Sequence, residues 1–309
     1  MRAGVHGVFL ISILLTSFSD LGLLPVTILR PTGVMRIFSW DFYDHILTPQ
    51  GMMPLKWLMV LSLLCSTLGY LTRLTTKTSL LLVLFYQGLV RSFGHFNHDE
   101  MIGVYFLIVL ALTPCGDGYS IDGLMTGRRP SLPRFAYGYP ILLMRLLLAW
   151  AYFSAGLLKL RISGFDYFSA DSLPGLAIWH SLDNLHETQF QLAFSLPQVR
   201  DFLPFVMVIV IAWELFFPLA VFWPRIRWWL LGFGFLFHLS TLFLMNIFFP
   251  YHLAMYLVFV DWPAVGRRLS RTRLYLWARK SVGEGQIGRH GHRIIRGRSS
   301  KKQASQDHK

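Results

Sequence analysis

Asp20, Arg145, Lys159, Glu214 and His238 are ionisable side chains standing inside long apolar stretches of this chain. Charge is costly among hydrocarbon, so each is a candidate for chemistry or for pairing. Arg145 and Glu214, of opposite sign, fit a structural ion pair. Lys159, within Tyr152-Phe-Ser-Ala-Gly-Leu-Leu-Lys-Leu160, admits two readings. It can bury its stem and reach for water at the bilayer edge, or it can give up its proton in an apolar cavity and serve as a general base. A second concentration of polarity, His95, Asn97, His98, Asp99 and Glu100, precedes another apolar stretch and suits hydrogen bonding and acid–base work. None of these histidines has HxxxH or HExxH spacing, so no metal is expected. No P-loop, GxGxxG, GxSxG or haem-attachment motif occurs, which argues against an ATPase, a dinucleotide enzyme, a serine hydrolase or a c-type cytochrome.

The elements that must carry these residues are set by composition. The 309 residues are 54% hydrophobic and 15% charged, with a mean hydropathy of +0.47; a soluble domain has about a quarter of its residues charged. The expected fold is all-α, a polytopic membrane helix bundle. Apolar windows give about eight spans: Val5–Leu29, Pro54–Leu71, Thr75–Phe93, Met101–Pro114, Tyr139–Leu160, Phe202–Trp223, Trp228–Phe248 and Phe249–Trp262. The fourth and eighth are short and need a locally thin bilayer or polar flanks. Val8 to Phe18 also has the look of a signal-peptide core, with Ser17 and Ser19 as small residues beyond it.

The net charge of +13 is not spread evenly. Thirteen of the 29 Lys and Arg lie after Trp262, against Glu284 and Asp307, so the tail carries +11 and the rest +2. Residues 1–262 therefore read as a transmembrane domain and 263–309 as a basic juxtamembrane tail that meets anionic lipid rather than nucleic acid. With both termini cytoplasmic, 21 of the 29 basic residues fall inside, and each short inner connection is basic. The long segments Arg30–Met53 and Arg161–Asp201 are then external, a placement suited to function. Cys65 and Cys115 have no metal or redox spacing and read as buried small hydrophobes.

Several short stretches resemble one family. Asn97-His98, then Ser120-Ile-Asp-Gly-Leu124, then Tyr152 to Leu160, then Phe237-His238 with Leu244-Met-Asn-Ile-Phe-Phe249, are similar in kind and order to the horizontally transferred transmembrane (HTTM) domain. That domain is the membrane half of vitamin K-dependent gamma-glutamyl carboxylase and its bacterial relatives. The resemblance implies that Lys159 is the base that deprotonates a vitamin K-like isoprenoid hydroquinone, with Asn97, His98 and His238 completing the catalytic set. It also implies an integral protein of a bacterial inner membrane or its equivalent, taking an apolar small molecule. The carboxylase continues into a large lumenal part that holds its protein substrate, whereas the sequence here ends in the basic tail. Protein carboxylation is thus not expected, no protein partner is indicated, and a quinone-directed base acting on another acceptor is. The rival reading is a non-catalytic transporter or scaffold that keeps the fold while Lys159 only anchors its helix.

The segment Arg267–Lys280 sets Leu269, Leu274, Leu276 and Trp277 among five arginines and a lysine, a pattern that predicts an interfacial helix on anionic lipid. A synthetic peptide of this segment is expected to bind vesicles containing phosphatidylserine at low ionic strength and to leave them as salt is raised. Equal binding to neutral vesicles would contradict the electrostatic attribution.

Overall fold

A computed structural model describes residues 1–94, 98–127, 132–183 and 190–269. Asn97 and most of the basic tail lie outside the described residues. Those described are all-helical, with no strand among them. In chain order the helices are α1 (Arg2–Leu15), α2 (Phe18–Leu21), α3 (Trp40–Ile46), α4 (Pro49–Leu68), α5 (Thr72–Ser92), α6 (His98–Ala111), α7 (Ile121–Thr126), α8 (Arg134–Ser163), α9 (Ser172–Asp183), α10 (Leu203–Phe216), α11 (Leu219–Phe222), α12 (Pro224–Met245), α13 (Pro250–Met255) and α14 (Trp262–Leu269). One compact unit runs from Met1 to Val258. A second begins at Phe259 and contains α14.

Prolines open α4, α10, α12 and α13 within their first two positions, where the missing N–H costs nothing. Ser39 and Thr48 cap α3 and α4 by accepting from Phe42 N and Gly51 N. Gly69 ends α4 at φ 76°, a left-handed cap that glycine adopts freely.

Three helical stretches, Pro49–Leu68, Arg134–Phe168 and Pro224–Met245, are long and apolar enough to cross a membrane. The expected first span, Val5–Leu29, is not one helix: α1 stops at Leu15, and α2 and a 3-10 turn at Val26–Ile28 follow. Pro25 and the Ser17-Phe18-Ser19 polar break account for this, since both offer the backbone alternatives to the helix. The expected eighth span is broken as well, into α13 and the 3-10 turn Tyr256–Phe259.

The buried core is largely apolar, but the α4–α5 contact also buries many polar side chains. Between α4 and α5 the buried residues include Ser62, Ser66, Thr72, Thr76, Ser79 and Gln87, while Trp57, Leu58, Leu61, Leu74 and Leu81 face outward. Ser62 Oγ donates to Thr75 O at 3.2 Å, and Ser66 Oγ lies 3.4 Å from Ser79 Oγ. Lipid is as apolar as leucine, so helices associate there through small and hydroxyl-bearing residues that approach closely and hydrogen-bond.

The Ser120-Ile-Asp-Gly-Leu124 stretch has a structural task. Ser120 Oγ accepts from Gly123 N at 3.0 Å to start α7. Asp122 then reaches the bare N-terminus of α5, accepting from Leu71 N at 2.8 Å, Thr72 N at 2.7 Å and Thr72 Oγ1 at 2.7 Å. Desolvation works against ionisation at Asp122, but the hydrogen bonds from Thr72 and Leu71 outweigh it and hold the carboxyl below its usual range. A carboxylate depressed in the folded state stabilises above its unfolded pKa, and that contribution disappears as pH falls through the folded value. Asp122→Ala is accordingly expected to cost about 1–2 kcal/mol at neutral pH, the worth of a helix cap. The difference from wild type, followed by thermal unfolding in detergent, should shrink below about pH 4, the ordinary aspartate range. A difference that is constant with pH would exclude the carboxylate as its source.

Candidate functional site

Tyr152, Gly156 and Lys159 recur on one face of α8 at intervals of four and three residues, the spacing of a single helical stripe. Against it packs α10. Gly156 allows the approach: a Cβ there would lie 2.9 Å from Glu214 Cβ and 3.3 Å from Glu214 Oε2. Three residues further on, Lys159 Nζ is bonded and ion-paired to Glu214 Oε1. The side chain of Glu214 is 3% exposed and that of Lys159 31% exposed, so the pair reaches from the bundle interior towards its rim. A lone carboxylate at that depth would carry a large desolvation cost, and the ammonium offsets it.

The expected Arg145–Glu214 pair is therefore corrected to Lys159–Glu214. Arg145 lies about 21 Å before Lys159 along α8, at about 1.5 Å per residue, and its Nε donates to Val258 O at 3.0 Å. Counting spans of equal depth put Glu214 opposite the wrong cation. In the structure α10 is a 14-residue helix, and its last turn lies beside Gly156.

A second polar group sits two turns back on the same stripe. The Tyr152 hydroxyl is 2.7 Å from His238 Nε2 and 2.7 Å from the Tyr256 hydroxyl. His252 Nδ1 is hydrogen-bonded to Asp99 Oδ1, and the His252 and His238 rings are 5.3 Å apart between centroids. All of this is enclosed by aromatic rings: Trp213 at 4.9 Å and Phe217 at 4.2 Å from the Tyr152 ring, and Phe249 at 5.0 Å from His238. Lys159 Nζ stands 5.9 Å from the ring centroid of Phe237, the neighbour of His238. Among the described residues, Glu214 Oε2 and His238 Nδ1 are buried without a hydrogen-bond partner. Orphaned buried polar atoms are rare, and each calls for a role.

Of the sequence-predicted residues, then, Lys159 and His238 belong to neighbouring clusters along α8, Lys159 paired with Glu214 and His238 bonded to Tyr152. His98 opens α6, one residue before the buried Asp99; its side chain and Asn97 fall outside the described residues. In the sequence Asp99 stands out only as part of a polar patch, and Tyr152, His252 and Tyr256 do not stand out as site residues. The signal for them was spacing: Tyr152 and Lys159 share a stripe, and His252 and Tyr256 stand four residues apart in an apolar window.

Beside this cluster an open apolar groove of about 720 Å³ runs along the outer face of α10 and α12, lined by Ala212, Trp213, Phe216, Trp228, Phe233 and Leu236 among others, and not by Lys159, Glu214 or His238. Its wall residue Trp213 is the same ring that packs on Tyr152.

Helices that bury polar residues and turn large apolar ones outward define a helical membrane protein. A family profile described as the HTTM domain matches residues 17–262. The chain belongs to the HTTM domain family, which is related to the vitamin K-dependent carboxylase. Neither a curated protein nor a solved structure gave a match.

Proposed function

We propose that this protein is a multi-pass membrane enzyme that deprotonates an apolar, isoprenoid hydroquinone-like molecule, with Lys159 as the base. The observation that carries the reading is the direction of Lys159. A snorkelling lysine turns its ammonium to water, whereas Lys159 is bonded inward to the buried Glu214. In an apolar surrounding, an amine and a carboxyl in contact can exchange a proton without creating net charge, which is what a recyclable base requires.

The residues fit such a molecule. Glu214 Oε2 and His238 Nδ1 are buried polar atoms without partners, and the apolar groove on the other side of Trp213, though lined by neither, has the volume of a small-molecule site. A hydroquinone, once deprotonated, supplies reducing electrons to an acceptor such as oxygen. The chain's part is narrower. Once its own proton has passed to Glu214, Lys159 takes the proton of the hydroquinone and the resulting ammonium is balanced by the anion formed, while Trp213, Phe217 and Phe237 keep water from the centre. Protein carboxylation is not part of the proposal.

The same reading sets the protein across a bacterial inner membrane or its equivalent through about eight segments, with both termini inside. The basic inner connections and the +11 tail support it. A cysteine introduced at Ser169 is expected to react with a membrane-impermeant thiol reagent in intact cells. Reaction only after the inner membrane is permeabilised would reverse the orientation.

For the base, the informative variants are Lys159→Arg and Glu214→Gln, assayed with vitamin K hydroquinone and oxygen in detergent. Arginine keeps a cation for Glu214 but does not release its proton, so Lys159→Arg is expected to stay folded and to oxidise the probe at least about a hundredfold more slowly, the lower range for losing a general base. Glu214→Gln is expected to slow turnover too, by leaving the lysine without its counter-charge. Full turnover in Lys159→Arg would mean that the pair is only a structural bridge, the behaviour of a scaffold or transporter.

A further inference from the structure

Beside the Lys159–Glu214 pair the bundle holds a second set of titratable groups: the buried Asp99 from α6, Tyr152 from α8, His238 from α12 and His252 from α13, with the half-buried Tyr256. Their arrangement limits where protons can sit. His252 is the histidine in contact with a carboxylate, through Nδ1 to Asp99. The His238 ring is 5.3 Å from His252, and no acid among the described residues is bonded to it. Two imidazolium rings at that separation, with a carboxylate on only one of them, would leave net positive charge in an apolar interior. One proton, held on His252 by Asp99, neutralises the pair, and His238 is left neutral.

The hydroxyl chain then selects the tautomer of His238. Tyr152 has one proton and two partners at 2.7 Å. If Tyr256 donates to Tyr152 and Tyr152 donates to His238 Nε2, every hydroxyl proton in the chain is used. The opposite direction would leave the Tyr256 proton to find another acceptor. In the favoured direction Nε2 is an acceptor and the imidazole proton stands on Nδ1, the buried atom without a partner among the described residues. A buried N–H donor that no protein group accepts from is one that can stabilise a developing oxyanion.

We propose that Tyr152, Tyr256 and the Asp99–His252 pair are positioning residues that hold His238 neutral with its proton on Nδ1, presenting that N–H to the oxygen left negative when Lys159 removes a proton. The use of the N–H rests on the enzyme reading above; the tautomer does not. No bond to carbon changes and no electrons move in this arrangement. The hydroxyl and imidazole protons stay where the hydrogen-bond chain places them.

The test is nitrogen NMR of the full-length protein with isotope-labelled histidine, in lipid nanodiscs near neutral pH, with His238→Gln and His252→Gln spectra for assignment. Wild type is expected to show His252 protonated on both nitrogens and His238 neutral with a single tautomer, protonated at Nδ1. Tyr152→Phe keeps the ring against Trp213 and Phe217 while removing the hydroxyl, and is expected to abolish that single tautomer. Asp99→Asn is expected to take the second proton from His252. A wild-type His238 protonated on Nε2 or on both nitrogens would overturn the proposal, as would a His238 spectrum indifferent to Tyr152→Phe. Turnover of Lys159→Arg decides the enzyme reading and does not enter this measurement, so the two can fail separately.

Discussion

The charge balance between Lys159 and Glu214 is the interaction on which the rest of this unit turns. Glu214 is almost fully enclosed, and a carboxylate in such surroundings must be protonated or paired. Pairing requires that α8 and α10 meet closely at one height, which is why a glycine stands at 156: any larger residue would have its Cβ within 2.9 Å of Glu214 Cβ. Once α10 is held there, Trp213 and Phe217 fall against Tyr152. The indole nitrogen of Trp213 in turn donates to Leu230 O at 2.9 Å, which brings α12 into place. One ion pair thus sets the stripe on α8, the aromatic enclosure and the helix that carries His238.

Elsewhere the bundle is held by a different economy. Hydrophobic burial offers little where the surroundings are lipid, so the α4–α5 contact relies on hydroxyls and short side chains. The ends of elements are tied by polar residues from afar. Asp122 caps α5 across 50 positions of sequence. Arg2 donates to the carbonyls of Cys115 and Tyr119 at 3.3 and 2.8 Å. Asn246, in the left-handed conformation at φ 55°, uses its amide on Ser181 O, Ser181 Oγ and Phe190 O. Each of these sits at a helix end, where backbone groups left over from the helix would otherwise lack partners.

That division explains what could be read in the sequence. Apolar windows located the helices of the bundle, because hydropathy is a local property, and the ordered short stretches located the family. The breaks in Val5–Leu29 and Phe249–Trp262 were missed because a window average does not register a single Pro25 or a turn at Phe249-Pro250. Lys159 and His238 were legible as ionisable residues in apolar stretches. The partner of Glu214 was not, since depth was inferred from equal spans and the long segment after α8 shifts α10 relative to it. Ser120 and Asp122 were visible as a motif, but nothing local says that the aspartate serves a helix begun 50 residues earlier.

Hardest to read was the pairing of Asp99 with His252, groups separated by 153 residues. His252 lies in a six-residue helix between an irregular stretch and a 3-10 turn, and its position is fixed by packing rather than by its own propensity. Asp99 stands in the first turn of α6, where the helix dipole favours a negative charge without any cation. Each residue thus has a sufficient local explanation, which is why neither draws attention alone. Brought together they form a buried carboxylate–imidazole contact 5.3 Å from a second imidazole. A bundle needing only stability would be served as well by apolar side chains of similar size. Tyr152 and Lys159, seven residues apart on one stripe of α8, thus each anchor a cluster of proton-bearing groups, about 10 Å apart by helical rise, and stability alone does not call for buried polarity of that kind.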